Sequence, residues 1–257
     1  MVHTSVIGCG NMGSALVTGL SKAGEHTVAA CDLDPDALAA VADYADETTD
    51  DISKAAEADV VFVAVKPEIV EAVLSELALS PEQTLVTIAA GVPTDFVKAR
   101  TDARVVRIMP NLAAETRDMA AAATGDVTDE VRQLLADVGE FAEIEESRMD
   151  IATAVNGSGP AFVFYFIKAM SEAGVAGGLD HEKAQTLAAQ TFKGAAETVL
   201  RDDRSADELI DAVCSPNGTT IEGMDVLWDS DADRAMNDAV AAAERRSEEL
   251  AADFEDE

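Results

Sequence analysis

Short apolar runs alternate with helix-spaced stretches through the first half of the chain. "TSVIG" predicts a buried strand, and "NMGSALVTGLSKAG" follows it with apolar residues at helical spacing and a glycine stop. "HTVAACD" predicts a second strand, and "DPDALAAVADYA" a helix opened by an acidic cap before proline. "DVVFVAV" is a third strand, followed by the helix "PEIVEAVLSELAL". "QTLVTIAAG", "ARVVRIMPN" and "DMAAAAT" continue the strand pattern, and "DEVRQLLADVG" supplies another helix. Apolar strands alternating with helices predict a parallel, doubly wound α/β sheet.

The pattern changes near Ser147. Long helical periodicities follow, from "MDIATAVNGSGPAFVFYFIKAMSEAGVAGG" through "DHEKAQTLAAQTFKGAAETVL", "SADELIDAV" and "SPNGTTIEGMDVLW" to "DADRAMNDAVAAAERRSEELAADF". The expectation is two domains, 1–147 with the sheet and 148–257 all-helical. "PAFVFYFI" is apolar on every side, which predicts burial in a subunit interface. No apolar run reaches membrane-spanning length, and the chain opens on a strand without a cationic leader. A soluble cytoplasmic protein is therefore expected.

Charge sharpens this. Across 257 residues, 50 acidic side chains face 18 basic ones, a net charge of −32. Such a surface repels nucleic acid and anionic membranes, so neither is expected as a partner. The acids are spread along the chain rather than gathered in a tail. That fits a high-salt cytosol, where a Debye length of ~3 Å near 1 M blunts self-repulsion; an ordinary acidic cytosolic enzyme is the plainer alternative. Cys9, Cys31 and Cys214 have no metal-ligand spacing, and no metal site is expected.

The chemistry begins at "VIGCGNMG", where Gly8, Gly10 and Gly13 follow a strand and open a helix. The first glycine makes a tight turn, the second admits a pyrophosphate close to the backbone, and the third lets helix and strand pack. Asn11 and Met12 complete the loop, and the phosphates are expected at the helix N-terminus. Asp32, about 20 residues on at the end of the next strand, completes the fingerprint of a Rossmann-type dinucleotide site. A carboxylate there accepts from ribose hydroxyls and repels a 2′-phosphate. Leu33 and Asp34 supply no arginine for that phosphate, so NADH is favoured over NADPH.

A second cradle lies at "VCSPNGTTIEGM". Ser215 before Pro216 reads as a hydroxyl cap opening a helix, with small polar residues crowding its first turn. Exposed amides at a helix N-terminus suit a small anion. A plain N-cap with two incidental threonines is the alternative.

Several segments together resemble the pyrroline-5-carboxylate reductase family: "IGCGNMGSAL", "VFVAVKP", "AAGV", "RIMPN", "GSGPAF" with "EAGV" after it, and "DAVCSPNGTTIEGM". They run in family order over most of the chain. The resemblance implies reduction of 1-pyrroline-5-carboxylate to L-proline by hydride transfer to a cyclic imine. It implies that Ser215, Gly218 and Thr219 hold the substrate carboxylate while Thr220 reaches the ring nitrogen. It places Ala64, Val65, Lys66 and Pro67, with the loop at Asn111, along the cofactor cleft, and Asp51 near the adenosine ribose. Lys66 has an alternative as a surface charge at a strand end. The resemblance further implies that the helical domain dimerises, with five dimers in a ring as a further possibility.

Four departures stand out, one of them Asp51, where relatives often have an asparagine near the adenosine ribose. Asn217 replaces the usual second glycine of the rear turn, and Leu112–Ala113 replaces the usual Thr-Pro. Lys168 replaces an acid in the apolar helix, where a carboxylate across the interface is a candidate partner. Competing readings are a β-hydroxyacid dehydrogenase, a deazaflavin-dependent NADP reductase and a non-catalytic NAD(H)-binding redox sensor. The first wants an asparagine four residues after its lysine, and Lys168 is followed at that offset by Glu172. The second has no need of "GSGPA" or "SPNGTT". The third predicts binding without turnover, against which the second cradle stands.

Overall fold

The computed structural model describes residues 1–252 and 254. By packing, the chain divides into two compact units: Met1–Ser158 together with the chain from Ala241 onward, and Gly159–Val240. The first unit sets out β1 (His3–Ile7), α1 (Asn11–Ala23), β2 (Thr27–Cys31), α2 (Pro35–Val41), β3 (Glu47–Thr49) and α3 (Ile52–Ala55). It continues with β4 (Val60–Val63), α4 (Pro67–Glu76), β5 (Thr84–Thr87), α5 (Thr94–Lys98), β6 (Arg104–Pro110), β7 (Met119–Gly125), α6 (Asp129–Val138) and β8 (Gly139–Glu143). A short helix, α7 (Met149–Ala152), runs into a π-helical turn at Thr153–Gly157.

The eight strands form one sheet in the order β3-β2-β1-β4-β5-β6-β7-β8. From β3 to β6 every pairing is parallel, with the strand order reversing between β1 and β4. Strands flanked by helices on both faces are buried throughout, which is why Val60–Val63 read as an unbroken apolar run. One strand departs from the expected direction: β7 runs antiparallel to β6. The connection between them is a 3-10 turn at Leu112–Thr116, too short for the crossover that parallel pairing needs. The crossover through α6 then returns β8 parallel to β7.

The helix ends follow local chemistry. Asp34 caps α2 with Pro35 at its first position, as expected, and Thr128 caps α6 by accepting from the Val131 amide. Gly24 ends α1 in the left-handed conformation, φ 73°.

The packing division falls later than the change in sequence pattern. Met149 is fully buried against Met109 and Ala122 on the sheet, which holds α7 to the first unit. The second unit comprises α8 (Gly159–Ala176), α9 (His181–Arg201), α10 (Ala206–Val213), α11 (Thr219–Trp228) and the start of α12 (Ala232–Ala252). The far end of α12 packs in the first unit, where Ser247 Oγ donates to Asp150 Oδ1 at 2.6 Å. Asp253, at the end of the expected last helix, lies outside the described residues.

Within the second unit α8 and α9 form a close hairpin. A Cβ on Gly174 would lie 3.3 Å from that of Ala184. Yet Ser171, Ala184 and Ala188 are the only residues buried among those described in this unit. Phe164, Tyr165 and Trp228 are 67%, 70% and 55% exposed. A helical unit with so little core of its own presents an apolar surface suited to a partner.

Candidate active site

The glycine loop joins β1 to α1. Gly8 has φ 96°, and its amide donates to Cys31 O at 2.8 Å. A side chain there would lie 2.7 Å from Ala64 O, and a Cβ on Gly13 would collide with Gly8 O. Both positions need glycine because backbone meets backbone. Gly10 differs: nothing lies within 4 Å of where its Cβ would stand. It caps α1 with no side-chain hydrogen bond, so the first-turn amides are left open beside that clear flank. Asn11 and Met12 form this first turn.

A cleft of about 850 Å³ opens here, at the carboxyl ends of β1, β2 and β4 where the strand order reverses. Of the residues expected at the cofactor, Gly8, Gly10, Asp32, Asp51, Ala64, Val65 and Lys66 line it. Asn11, Met12, Gly13, Pro67 and Asn111 are not among its walls. Pro67 is the first residue of α4, directly after Lys66.

Asp32 is held at both oxygens. The Cys9 amide donates to Oδ2 at 2.6 Å and the Asp34 amide to Oδ1 at 2.9 Å. Asp51 caps α3, accepting from Ser53 Oγ at 2.6 Å and the Ser53 amide at 2.9 Å. These bonds, the hydroxyl's first, hold its carboxyl below the usual carboxylate range. Asp32, Asp34, Asp50, Asp51, Glu68 and Glu76 all line the cleft, against one cation, Lys66. Burial, reinforced by the Asp32 charge, pushes the Cys9 thiol up to about 12 and the Cys31 thiol up to about 11. Neither thiol is a nucleophile near neutrality.

Asn111 sits at the end of β6. Its Oδ1 accepts from the amides of Ala113 and Ala120 at 3.2 and 3.3 Å, so the side chain organises its own loop. Its Nδ2 donates to the backbone oxygen of Asn156 at 3.3 Å. Asn156, one residue before the "GSGPAF" motif, did not stand out in the sequence; its hydrogen bonds to Met109, Ala120 and Asn111 are non-local, and no periodicity or spacing marks them.

The rear turn differs from the expected helix start. Ser215 does not cap α11, which begins at Thr219 with Gly218 as its cap. Instead the Gly218 amide closes a turn on Ser215 O at 2.9 Å. Asn217 takes the left-handed conformation at φ 57°, a region Asn tolerates better than most residues. The Ser-Pro pair therefore makes the turn, while no side chain caps the helix behind it. Ser215, Thr219 and Thr220 are exposed. Lys168 pairs within its own helix, with Glu172 at 3.7 Å, and both are exposed.

Residues 146–250 match the family model for pyrroline-5-carboxylate reductase dimerisation, and residues 4–91 that for NADP oxidoreductase, coenzyme F420-dependent. The pyrroline-5-carboxylate reductase of Methanosarcina acetivorans is 39% identical, with 95% of this chain aligned to 96% of that protein. The chain belongs to the pyrroline-5-carboxylate reductase family. The Escherichia coli reductase is 36% identical over the same shares of both chains.

Solved reductases share the fold. That of Coxiella burnetii superposes with a TM-score of 0.87 at 30% identity, covering 97% of this chain and 98% of the other. That of Plasmodium falciparum, solved with NADP bound, gives 0.81 at 27% identity over the same shares. The family is one of NAD(P)-dependent oxidoreductases with a dimerisation domain. The deazaflavin-linked match is confined to the front of the chain and does not reach "GSGPA" or "SPNGTT".

Proposed function

We propose that this chain reduces 1-pyrroline-5-carboxylate to L-proline, the last step of proline biosynthesis. The observation that carries the reading is near-full-length similarity to pyrroline-5-carboxylate reductases in a chain with both a dinucleotide fingerprint and the rear turn. The nicotinamide cofactor, when bound, supplies a hydride. Gly8, Gly10 and Gly13, with Asn11 and Met12, shape the phosphate loop, and the open flank at Gly10 fits a pyrophosphate. Ala64, Val65, Lys66 and Pro67 border the cofactor after β4, and Asn111 shapes the loop after β6.

At the rear turn, Ser215, Gly218 and Thr219 hold the substrate carboxylate on main-chain donors. Thr220 orients the ring nitrogen. A protonated imine already carries the charge that reduction removes, so no strong acid is needed. Holding the carbon ~3–3.5 Å from the donor then provides much of the rate.

NADH is the preferred cofactor. The carboxylates of Asp32 and Asp51 in the cleft, with no arginine lining it among the described residues, support this, since a carboxylate repels a 2′-phosphate. Residues 1–147 serve the dinucleotide and 148–257 the substrate and dimerisation. The apolar face of the second unit is covered by a second copy of the chain, and rings of five dimers are the larger assembly proposed. The chain works in the cytoplasm, at high salt, and binds neither nucleic acid nor membrane. No helix among the described residues is long and apolar enough to cross a bilayer.

Substrate-dependent NADH oxidation in molar KCl tests the reading, with Thr220→Ala beside the parent chain. Turnover by the parent and a fall of at least about tenfold in the variant, with NADH affinity kept, are expected. No turnover by the parent removes the enzymatic reading, and full activity in the variant removes the role of Thr220.

A further inference from the structure

We propose that Asn156 is a positioning residue for hydride transfer, clamping the end of β6 and the strand beside it through its side-chain amide. The inference rests on the dinucleotide reading above and extends it to a residue outside the glycine loop, the cleft walls and the rear turn.

The β6–β7 ladder ends at the pair Pro110–Ala121. Proline has no amide donor, so beyond this point the ladder cannot continue in the ordinary way. Side chains replace it. Asn156 Nδ2 donates to Met109 O at 2.6 Å and to Ala120 O at 3.1 Å, one carbonyl from each strand. Asn111 returns the contact, donating to the Asn156 backbone oxygen and accepting from the Ala120 amide. Two asparagines thus close the open end of a strand pair.

The orientation of the Asn156 amide follows from its partners, because two carbonyl oxygens require the nitrogen between them. Its Oδ1 is buried without a donor among the described residues. The side chain therefore contributes through its two N–H bonds. A π-helical turn supplies it, and such turns recur at functional sites.

The clamped segment lies at the working edge of the sheet. β1, β4, β5 and β6 are parallel, so the residues after β6 share an edge with Gly8–Gly10 and Ala64–Lys66. Asp32 and Asp51 mark the ribose side, beyond β1, so the far half of a dinucleotide crossing the strand reversal extends toward β4–β6. Freedom in the Met109–Asn111 segment degrades alignment at the reacting end while leaving the adenosine end intact. A displacement of about 1 Å can cost on the order of 100-fold in rate.

The test compares Asn156→Ala with Thr153→Val. The latter removes a bond within the helical turn, Thr153 Oγ1 to Met149 O, and takes no hydrogen bond away from β6. For Asn156→Ala the expected results are a fall in kcat of ~10- to 100-fold, NADH Kd within about threefold, and faster amide exchange confined to peptides spanning residues 109–120. Thr153→Val should keep kcat within about twofold. Unchanged kcat and exchange in Asn156→Ala, or an equal loss in Thr153→Val, would overturn the proposal. Should Asn156→Ala not fold, Asn156→Ser, which keeps one hydroxyl donor, carries the same comparison. Exchange and NADH binding are read without substrate, so failure of the clamp is distinguishable from failure of the pyrroline-5-carboxylate reading.

Discussion

The Cys9 amide donates to Asp32 Oδ2 at 2.6 Å, tying the glycine loop to the end of the neighbouring strand. Asp32 therefore holds the glycine loop in shape as well as lining the cleft. Hydrogen bonds to charged groups contribute about 1.5–3 kcal/mol, equivalent to roughly 10- to 150-fold in affinity. Asp32→Ala should weaken NADH binding by at least tenfold without a matching gain for NADPH. Calorimetric titration of both nucleotides checks this; a variant that exchanges NADH for NADPH at equal affinity would mean the carboxylate acts on the ribose alone.

Gly10 and Gly13 should separate by experiment. Gly10 has φ −69° and open space around it, so Gly10→Ala should fold with an unchanged melting temperature yet bind NADH at least tenfold more weakly. Gly13→Ala drives a methyl into Gly8 O and should lose stability as well as binding. Thermal melts beside nucleotide titrations distinguish the two. Equal destabilisation would contradict the assignment of Gly10 to ligand approach.

Arg107, 4% exposed, rests its charge on Glu146 Oε1 at 2.7 Å. The same oxygen accepts from the Thr94 amide at 3.3 Å. Glu146→Leu leaves a buried guanidinium unpaired and should cost about 3 kcal/mol in denaturant unfolding. The pair Arg107→Met with Glu146→Leu should recover most of that loss. A double variant no more stable than Glu146→Leu would show that packing, not charge, is at stake.

The buried thiols set a direction for alkaline stability. Cys9 and Cys31 rise from 9.0 to about 12 and about 11 in the folded chain, chiefly through burial. Because the folded form holds these protons more tightly, their contribution is complete below pH 9.0 and is lost as pH rises through about 11 to 12. Cys9→Ala with Cys31→Ala should flatten the fall in unfolding free energy above pH 9. An unaltered slope would contradict the burial argument. In the native chain at pH 8, Cys214 should react first with a thiol reagent.

The central strands were legible because burial on both faces makes them continuous apolar runs, as at Val60–Val63. The edge strands were not. Glu47–Thr49 and Gly139–Glu143 are short, largely solvated and polar, and their pairing depends on neighbours rather than on their own pattern. The reversal at β7 was readable in principle from the short Leu112–Thr116 connection. Gly8 and Asp32 were legible together because a dinucleotide fingerprint sets residue types at fixed offsets, and both line the same cleft. At the rear turn Ser215–Pro216 carried a false helix signal, since the same pair suits a turn that passes through Asn217 in the left-handed region and is closed by the Gly218 amide. Asn156 carried none, because its partners lie 36 and 47 residues away in the chain.

The acidic cleft predicts an inverted salt response. Six carboxylates against Lys66 repel a dinucleotide's phosphates at low ionic strength. Raising KCl from 0.1 to about 2 M, with the Debye length falling from ~10 Å to below ~3 Å, should tighten NADH binding. Affinity that weakens steadily with salt would contradict this reading of the cleft charge.

The most direct measurement is kcat/KM for NADH and for NADPH at saturating 1-pyrroline-5-carboxylate in molar KCl, with proline identified as the product. The account predicts turnover with both and a higher value for NADH. Nucleotide binding without any proline formed would contradict it.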